Sequence, residues 1–217
     1  MIRYQRSIRS FAICLSAVAG YVDAVGYIAL GGFFVSFMSG NSTRLAVGLA
    51  GRSQDAAIAG GLIVSFLFGV VLGSVAGRFA GAKRPAVILG LTAVTLAAAS
   101  VLASAGARTA ALALVASAMG SKNTIFERDG EVSIGLTYMT GTLVKLGQRL
   151  AAALMGNSDR LSWLPHLLLW LGLVSGALVG ALAYPYLGLQ SLWFAATVEL
   201  VLAALSLRLS WQIESGA

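Results

Sequence analysis

The stretch Met38-Ser39-Gly40-Asn41-Ser42-Thr43-Arg44-Leu45 decides how this chain is read, because it recurs. About a hundred residues on stands Met139-Thr140-Gly141-Thr142-Leu143-Val144-Lys145-Leu146. Met, a small hydroxyl residue, Gly, a basic residue and Leu return in the same order, and the echo continues through Leu49-Ala50 and Leu150-Ala151. Each copy is a glycine turn, then polar residues, then an apolar helical run carrying one cation. Such a segment makes a poor membrane span and a poor soluble loop. The chain therefore reads as two related halves, each built around one polar segment.

Composition sets the solvent of those halves. Hydrophobic residues make up 58% of the 217 residues and charged residues 11%, against roughly 25% charge in a soluble domain. Mean hydropathy is +0.86. Residues 56–77, 85–106 and 161–207 carry no acidic side chain except Glu199, and 78, 83 and 84 are basic punctuation between the first two. Crossing the hydrocarbon takes about 20 apolar residues, so this is a polytopic membrane protein. The net charge of +7 follows from basic residues at span ends, and no basic, aromatic-rich run suggests a nucleic-acid partner. The single Cys14 and single His166 exclude an internal disulfide and a metal cage, and packing is the reading for both.

Arg3, Arg6 and Arg9 before an apolar run look superficially like a secretory signal. The apolar pattern continues past Asp23 to about residue 30, too long for a signal core, so it reads as a retained first span, 10–30. Gly31-Gly32 ends it, and the first polar segment, 34–50, follows. Spans are expected at 56–80 and 86–105, then at 109–126, 161–184 and 189–207, with a charged break at 127–131 and the second polar segment at 133–155. Gly69, Gly73 and Gly77 in one half, and Gly172, Gly176 and Gly180 in the other, form a smooth ridge on one helix face. Such ridges let a neighbouring backbone approach closely. The expected turn into the last span is bracketed by Pro185 and Gly188.

Orientation follows from counting cations. With six crossings and an inside N-terminus, twelve of the Lys and Arg residues fall inside and only Arg44, Arg52 and Arg108 outside. Were the polar segments full crossings, Arg78, Lys83 and Arg84 would move outside and weaken the positive-inside bias. Three spans per half is an odd number, so the second half is expected to sit inverted, the plan of many transporters with interrupted helices at the midplane. The expected fold is an all-α polytopic membrane protein of six transmembrane helices in two inverted three-helix repeats, about 10–105 and 109–207, within a single membrane domain. Each repeat contains an interrupted or re-entrant polar segment, and flat interfacial helices are the other reading of those segments.

The candidate site collects around them. Asp23 is a carboxylate inside a span, a functional candidate because an unpaired charge there is costly. Its counterpart in the repeat is Asn123. A structural ion pair with Arg44 or Lys145, or a hydrogen bond to a helix start, is the other reading of Asp23. Arg44 and Lys145 are matched cations near helix starts and would attract an anionic or carboxylate-bearing solute; snorkelling to headgroups is their alternative role. Gly40, Asn41, Ser42, Thr43, Thr140, Gly141 and Thr142 either line a polar path or cap helices. Glu199 is a second intramembrane carboxylate, and Lys122 lies close enough to a span end to snorkel. Tyr138, Trp163, Trp170, Trp193 and Trp211 read as interface or packing residues. Phosphate-cradling, metal-ligating and nucleophile-elbow motifs are absent, so no enzyme and no cofactor is expected.

Two stretches carry a resemblance. Gly20-Tyr21-Val22-Asp23-Ala24-Val25-Gly26-Tyr27 with Phe34-Val35-Ser36-Phe37-Met38-Ser39-Gly40-Asn41-Ser42-Thr43-Arg44-Leu45 resembles the bacterial YoaK family, and Gly135-Leu136-Thr137-Tyr138-Met139-Thr140-Gly141-Thr142-Leu143-Val144 fits it as well. The resemblance covers nearly the whole chain. It implies a multi-span protein of the bacterial inner membrane in a domain family of unknown function, and it implies no substrate. The function expected from the residues is a small transporter or channel for a polar or anionic solute, with a path between the halves and a proton or cation at Asp23. Its partners would be the lipid bilayer and that solute, a homodimer would use the glycine ridges, and both termini would be cytoplasmic. The alternative is a membrane scaffold or assembly partner.

Overall fold

The computed structural model describes residues 6–128, 131–132, 134–156 and 161–208. Expectations concerning Arg3, Asp129, Gly130, Ser133, Arg160 and Trp211 lie outside them. Eight helices follow one another among the described residues: α1 Arg6–Ala29, α2 Met38–Ala50, α3 Asp55–Ala80, α4 Arg84–Ser104, α5 Arg108–Lys122, α6 Met139–Leu154, α7 Leu164–Leu187 and α8 Leu192–Ser206. Single 3₁₀ turns, Gly81–Lys83 and Gly188–Ser191, lead into α4 and α8. The charged break is a small hairpin, β1 Glu127–Arg128 pairing antiparallel with β2 Glu131–Val132.

The elements sit close to where the sequence puts them, with two adjustments. The helix over 109–126 stops at Lys122, and residues 123–126 turn away. Pro185 does not end its helix, because α7 runs on to Leu187 and stops at Gly188, whose φ is +54°. Near a C-terminus a proline removes little of the ladder, whereas a positive φ favours glycine. Among the described residues, three helical stretches are long and apolar enough to cross a bilayer, Ser7–Ala29, Asp55–Ser104 and Leu164–Ser206, of 23, 50 and 43 residues. The second holds α3 and α4, and the third α7 and α8. With 15 residues each, α5 and α8 reach only about 22 Å at 1.5 Å per residue. The molecule is thus a helical membrane protein with one two-residue hairpin.

Packing follows the period of the sequence. On α1, Ile8, Ala12, Leu15, Ala19 and Val22 are fully buried, a stripe at three- and four-residue steps. The other face of α3 shows Val64, Phe68, Val71, Val75 and Phe79 outward, the reverse of a soluble helix and the surface a lipid tail would cover. Both glycine ridges are consumed inside the chain. A Cβ at Gly69 would lie 1.9 Å from the Ser117 carbonyl oxygen, and at Gly73 2.9 Å from the Ser121 Cα. A Cβ at Gly176 would lie 1.8 Å from the Ala17 oxygen, and at Gly180 2.5 Å from the Tyr21 oxygen. The contacts are returned from the other side: Gly120 meets the Phe66 carbonyl and Gly20 the Leu173 carbonyl, at 2.1 and 2.0 Å from a built Cβ. Helix α3 therefore lies on α5, and α7 on α1. Adding 100 to the α1 numbers and 107 to the α3 numbers carries one set of contacts onto the other. Gly20 and Gly120 make approaches as close as the ridges do, and sequence spacing did not single them out as packing residues.

The helix ends gather at two poles. At one, Arg108 donates to the Ala29 carbonyl (2.6 Å) and to the Tyr184 hydroxyl (3.2 Å), while Gln190 binds the Ser100 carbonyl (3.2 Å) and the Ser104 hydroxyl (2.8 Å). At the other, Arg84 donates to the Glu127 carbonyl (2.9 Å) and pairs with its carboxylate (3.4 Å), which also accepts from Ser74 (2.8 Å). Helices α4 and α5 run from one pole to the other.

Candidate functional site

After α1 the chain turns on Gly31 and Gly32, with φ of +65° and +105°, and comes back along the helix it has just left. Val35 fills the notch at Gly26, where a Cβ would lie 2.6 Å from Val35 Cγ1. Non-helical backbone within a membrane protein needs internal hydrogen-bond partners, and two side chains provide them. Asp23 Oδ1 accepts from the amides of Val35 and Ser36, both at 3.0 Å. Asn41, fully buried, accepts from the Phe34 amide (3.1 Å) and donates to the Phe34 carbonyl (2.6 Å). From this anchored loop α2 sets out along α3 as an antiparallel hairpin: Gly48 abuts Ala56, and Gly60 faces Leu45.

The hydroxyl residues do something other than cap. The first turn of α2 has no side-chain cap. Ser42 and Thr43 instead donate to the Met38 and Ser39 carbonyls one turn back, at 2.8 and 3.3 Å, from exposed positions. Such bonds satisfy the hydroxyl and leave the helix start to the backbone turn. Gly40 lies under the rings of Phe34 and Phe37, 3.1 and 2.7 Å from a built Cβ. Arg44 does not pair with Asp23. Its guanidinium lies 4.4 Å from the centroid of the Phe33 ring, a cation–π contact that folds the side chain back over Gly32.

The second polar segment repeats the arrangement in weaker form. Asn123, just past α5, accepts from the Thr137 hydroxyl (3.0 Å) and donates to the Met119 carbonyl (2.9 Å). Thr142 is buried and donates to the Tyr138 carbonyl (3.2 Å). Ser16 of α1 donates to the carbonyls of Leu136 (3.3 Å) and Leu169 (3.1 Å), tying the loop to α7. Thr140, Gly141 and Lys145 are exposed. Because α2 lies on α3 and α6 on α7, Arg44 and Lys145 are carried by helices with different packing partners. Neither forms a salt bridge among the described residues.

Lys122 departs most from expectation. It does not snorkel: it is fully buried and paired with the equally buried Glu199 of α8. Snorkelling fails because the expected span end is not a helix end at the surface, residues 123–126 being folded in and buried. One Glu199 oxygen takes the ammonium, and the other, Oε2, has no hydrogen-bond partner among the described residues. The sequence signal available was an intramembrane Lys and an intramembrane Glu with nothing nearer to pair with. Two cavities of about 360 and 350 Å³ open elsewhere: one along α1, α7 and α8 around Cys14, Tyr21, Gly176 and Phe194, the other around Leu62, Ser65, Arg108 and Leu112. Neither is lined by Asp23, Arg44, Lys145 or Glu199.

Asp23, Asn41 and Thr137 lie in the segments on which the resemblance to the YoaK family rests. A UPF0700 transmembrane protein of Rhizobium meliloti (strain 1021) is 33% identical over 231 residues, covering 98% of this chain and 93% of that protein. No solved structure matches the chain. The family described as protein of unknown function DUF1275 matches residues 11–205, nearly the whole length. The chain belongs to the DUF1275 family of membrane proteins, in keeping with its YoaK-like motifs.

Proposed function

We propose that the chain is a small transporter or channel of the bacterial inner membrane, with six crossings in two inverted three-helix repeats and a polar path where the repeats meet. The observation that carries this reading is the exchange of partners between halves. Helix α1 packs backbone-to-glycine on α7, while its counterpart α5 packs in the same register on α3. A two-fold relation between the halves accounts for such a swap, and with three crossings per half its axis lies in the membrane plane. The pole-to-pole course of α4 and α5 supports the six crossings, and the twelve-to-three cation bias supports cytoplasmic termini.

In this reading Asp23, Asn41, Asn123 and Thr142 hold the two dipping loops in shape, and the solute meets the polar residues that begin the helices after them. These are the hydroxyls of Ser42, Thr43 and Thr140, the backbone at Gly40 and Gly141, and the cations Arg44 and Lys145. One cation in each dip favours a small polar solute with negative charge, drawn in by the local potential. The scaffold alternative drew on glycine ridges free for a partner. Both ridges are occupied within the chain, so a homodimer would have to use another face.

Thiol labelling tests the inverted arrangement. With Cys14 replaced by Ser, Ser42→Cys is expected to react with a small impermeant reagent only from outside, and Thr140→Cys only from the cytoplasmic side. Reaction of both from one side overturns the inverted repeat. For the solute, a thermal-shift panel of metabolites and inorganic anions on the purified protein is expected to give a stabilising ligand. Its effect should be lost in Arg44→Ala. A hit indifferent to both Arg44 and Lys145 refutes the path.

A further inference from the structure

The least expected feature of the interior is the pair formed by Lys122 and Glu199, both fully buried. Exchanging a buried ion pair for apolar residues of similar size is often neutral or stabilising. The molecule contains its own version of that exchange, if the halves are related as proposed above. The shift of 100 that carries α1 onto α5 places Val22 opposite Lys122. The shift of 107 carries buried Pro85, Ile88, Leu89, Thr92 and Ala99 of α4 onto buried Leu192, Ala195, Ala196, Glu199 and Ser206 of α8, and so places Thr92 opposite Glu199. Val22 and Thr92 are themselves fully buried, and Thr92 satisfies its hydroxyl on the Ile88 carbonyl at 2.9 Å. The first half therefore buries uncharged residues at the corresponding positions, and burial alone gives no reason for the ions in the second.

Three details give the pair a chemistry. Glu199 Oε2 is buried and has no hydrogen-bond partner among the described residues, so the carboxylate has an oxygen available to take a proton. Lys122 is the last residue of α5, where the open carbonyls and the negative end of the helix dipole favour a cation whether or not Glu199 is ionised. The pair also joins α5 to α8, helices that otherwise meet mainly through α4 and α1, so it can loosen without unpacking a helix interface. Other charged or titratable groups on the elements around it are engaged elsewhere. Asp23 binds the Val35 and Ser36 amides, Tyr21 donates to the Ser191 carbonyl, Arg84 pairs with Glu127, and Arg108 binds Ala29. Arg6, Arg9, Cys14 and Tyr27 complete the set on α1, and among the described residues Lys122 is the charged group paired with Glu199.

We propose that Glu199 is an intramembrane proton-binding site with Lys122 as its internal counter-ion, and that it supplies proton coupling to the transport reading above, on which it rests. A proton from the aqueous phase bonds to Glu199 Oε2 and the carboxylate becomes the neutral acid. The ionic contact to Lys122 becomes an ordinary hydrogen bond, and Lys122 keeps its own proton and charge at the end of α5. Release of the same proton restores the pair, and no other reactant is needed.

The test is infrared pH-difference spectroscopy of the full chain in phosphatidylethanolamine–phosphatidylglycerol vesicles. The expected result is a protonated-carboxyl absorption that rises and falls with pH, vanishes in Glu199→Gln and survives in Asp23→Asn. In Lys122→Met the acid form should persist to higher pH, because the ionised form has lost its counter-ion. The double variant Lys122→Val/Glu199→Thr copies the first half and should fold with parental stability and no such absorption. A parent spectrum with no Glu199-dependent band overturns the proposal, and so does a double variant that fails to fold, which would make the pair a structural requirement. Opposite-side labelling at residues 42 and 140 does not involve Glu199, so the transport reading and the proton site fail separately.

Discussion

Replacing Gly176 by Ala adds one methyl group where the structure has no room. The new Cβ would stand 1.8 Å from the Ala17 carbonyl oxygen and 2.5 Å from its carbon, while ordinary contact begins near 3.4 Å. The contact is backbone on backbone, so no side chain can rotate aside, and α1 and α7 must part locally by about 1.6 Å. Overpacking of this kind costs about 1–3 kcal/mol. A radial gap of even about 0.5–1 Å forfeits a quarter to a half of the dispersion well along the seam, which puts this site at the upper end. The intrinsic preference of a helix for Ala over Gly, up to about 1 kcal/mol, offsets only part. The assay is equilibrium unfolding in mixed detergent micelles followed by tryptophan fluorescence. Gly69→Ala, at 1.9 Å from the Ser117 oxygen, should match Gly176→Ala, with Gly180→Ala (2.5 Å) and Gly172→Ala (2.9 Å) progressively milder. Gly90→Ala, with open space around it, should be neutral or slightly stabilising. A Gly176→Ala protein no weaker than Gly90→Ala would refute the close-packed seam, and a large cost at Gly176 beside none at Gly69 would refute the equivalence of the halves.

Other outcomes follow from the anchors and the ion pair. Asp23→Ala strands the amides of Val35 and Ser36 and should cost about 2–6 kcal/mol at roughly 1–3 per buried unsatisfied group, with faster proteolysis at 31–37; Asp23→Asn keeps an acceptor oxygen and should retain stability. Asn41→Ala removes both partners of the Phe34 backbone and should cost about as much, read by the same two measurements. Lys122→Met leaves a buried carboxylate alone and should destabilise by about 3–5 kcal/mol near neutral pH, with recovery in Lys122→Val/Glu199→Thr measured by thermal unfolding. Arg108→Met should loosen the pole where α1, α5 and α7 end, detected as faster amide exchange at Leu30 and Gly31, whose backbone sits next to the Ala29 carbonyl that Arg108 holds.

Much of this molecule was legible in its residues. Apolar runs, glycine breaks and the duplicated Met–Gly–Leu segment locate the helices within a few residues, because helix length and lipid solvation act locally. The ridges Gly69–Gly73–Gly77 and Gly172–Gly176–Gly180 announce close approach through spacing alone. Asp23 and its match Asn123 were legible as singular residues, since a polar group amid apolar ones needs a partner. Its identity was not: a cation and a helix start both fitted the sequence, and Asp23 binds amides twelve and thirteen residues away, in the loop that folds back ahead of α2.

What tertiary structure decided was pairing. Which helix each ridge meets depends on how the halves exchange partners, and Gly20 and Gly120 become contact residues only once α7 and α3 are laid against them. The fate of Lys122 turned on whether its helix end reaches the surface. Sequence position suggested that it does, but residues 123–126 fold inward and leave the ammonium no outlet except Glu199. Local sequence determines what a segment can form and how much water it tolerates. The partner of a buried charge or a glycine face is chosen by elements far along the chain, and only the assembled fold brings those together.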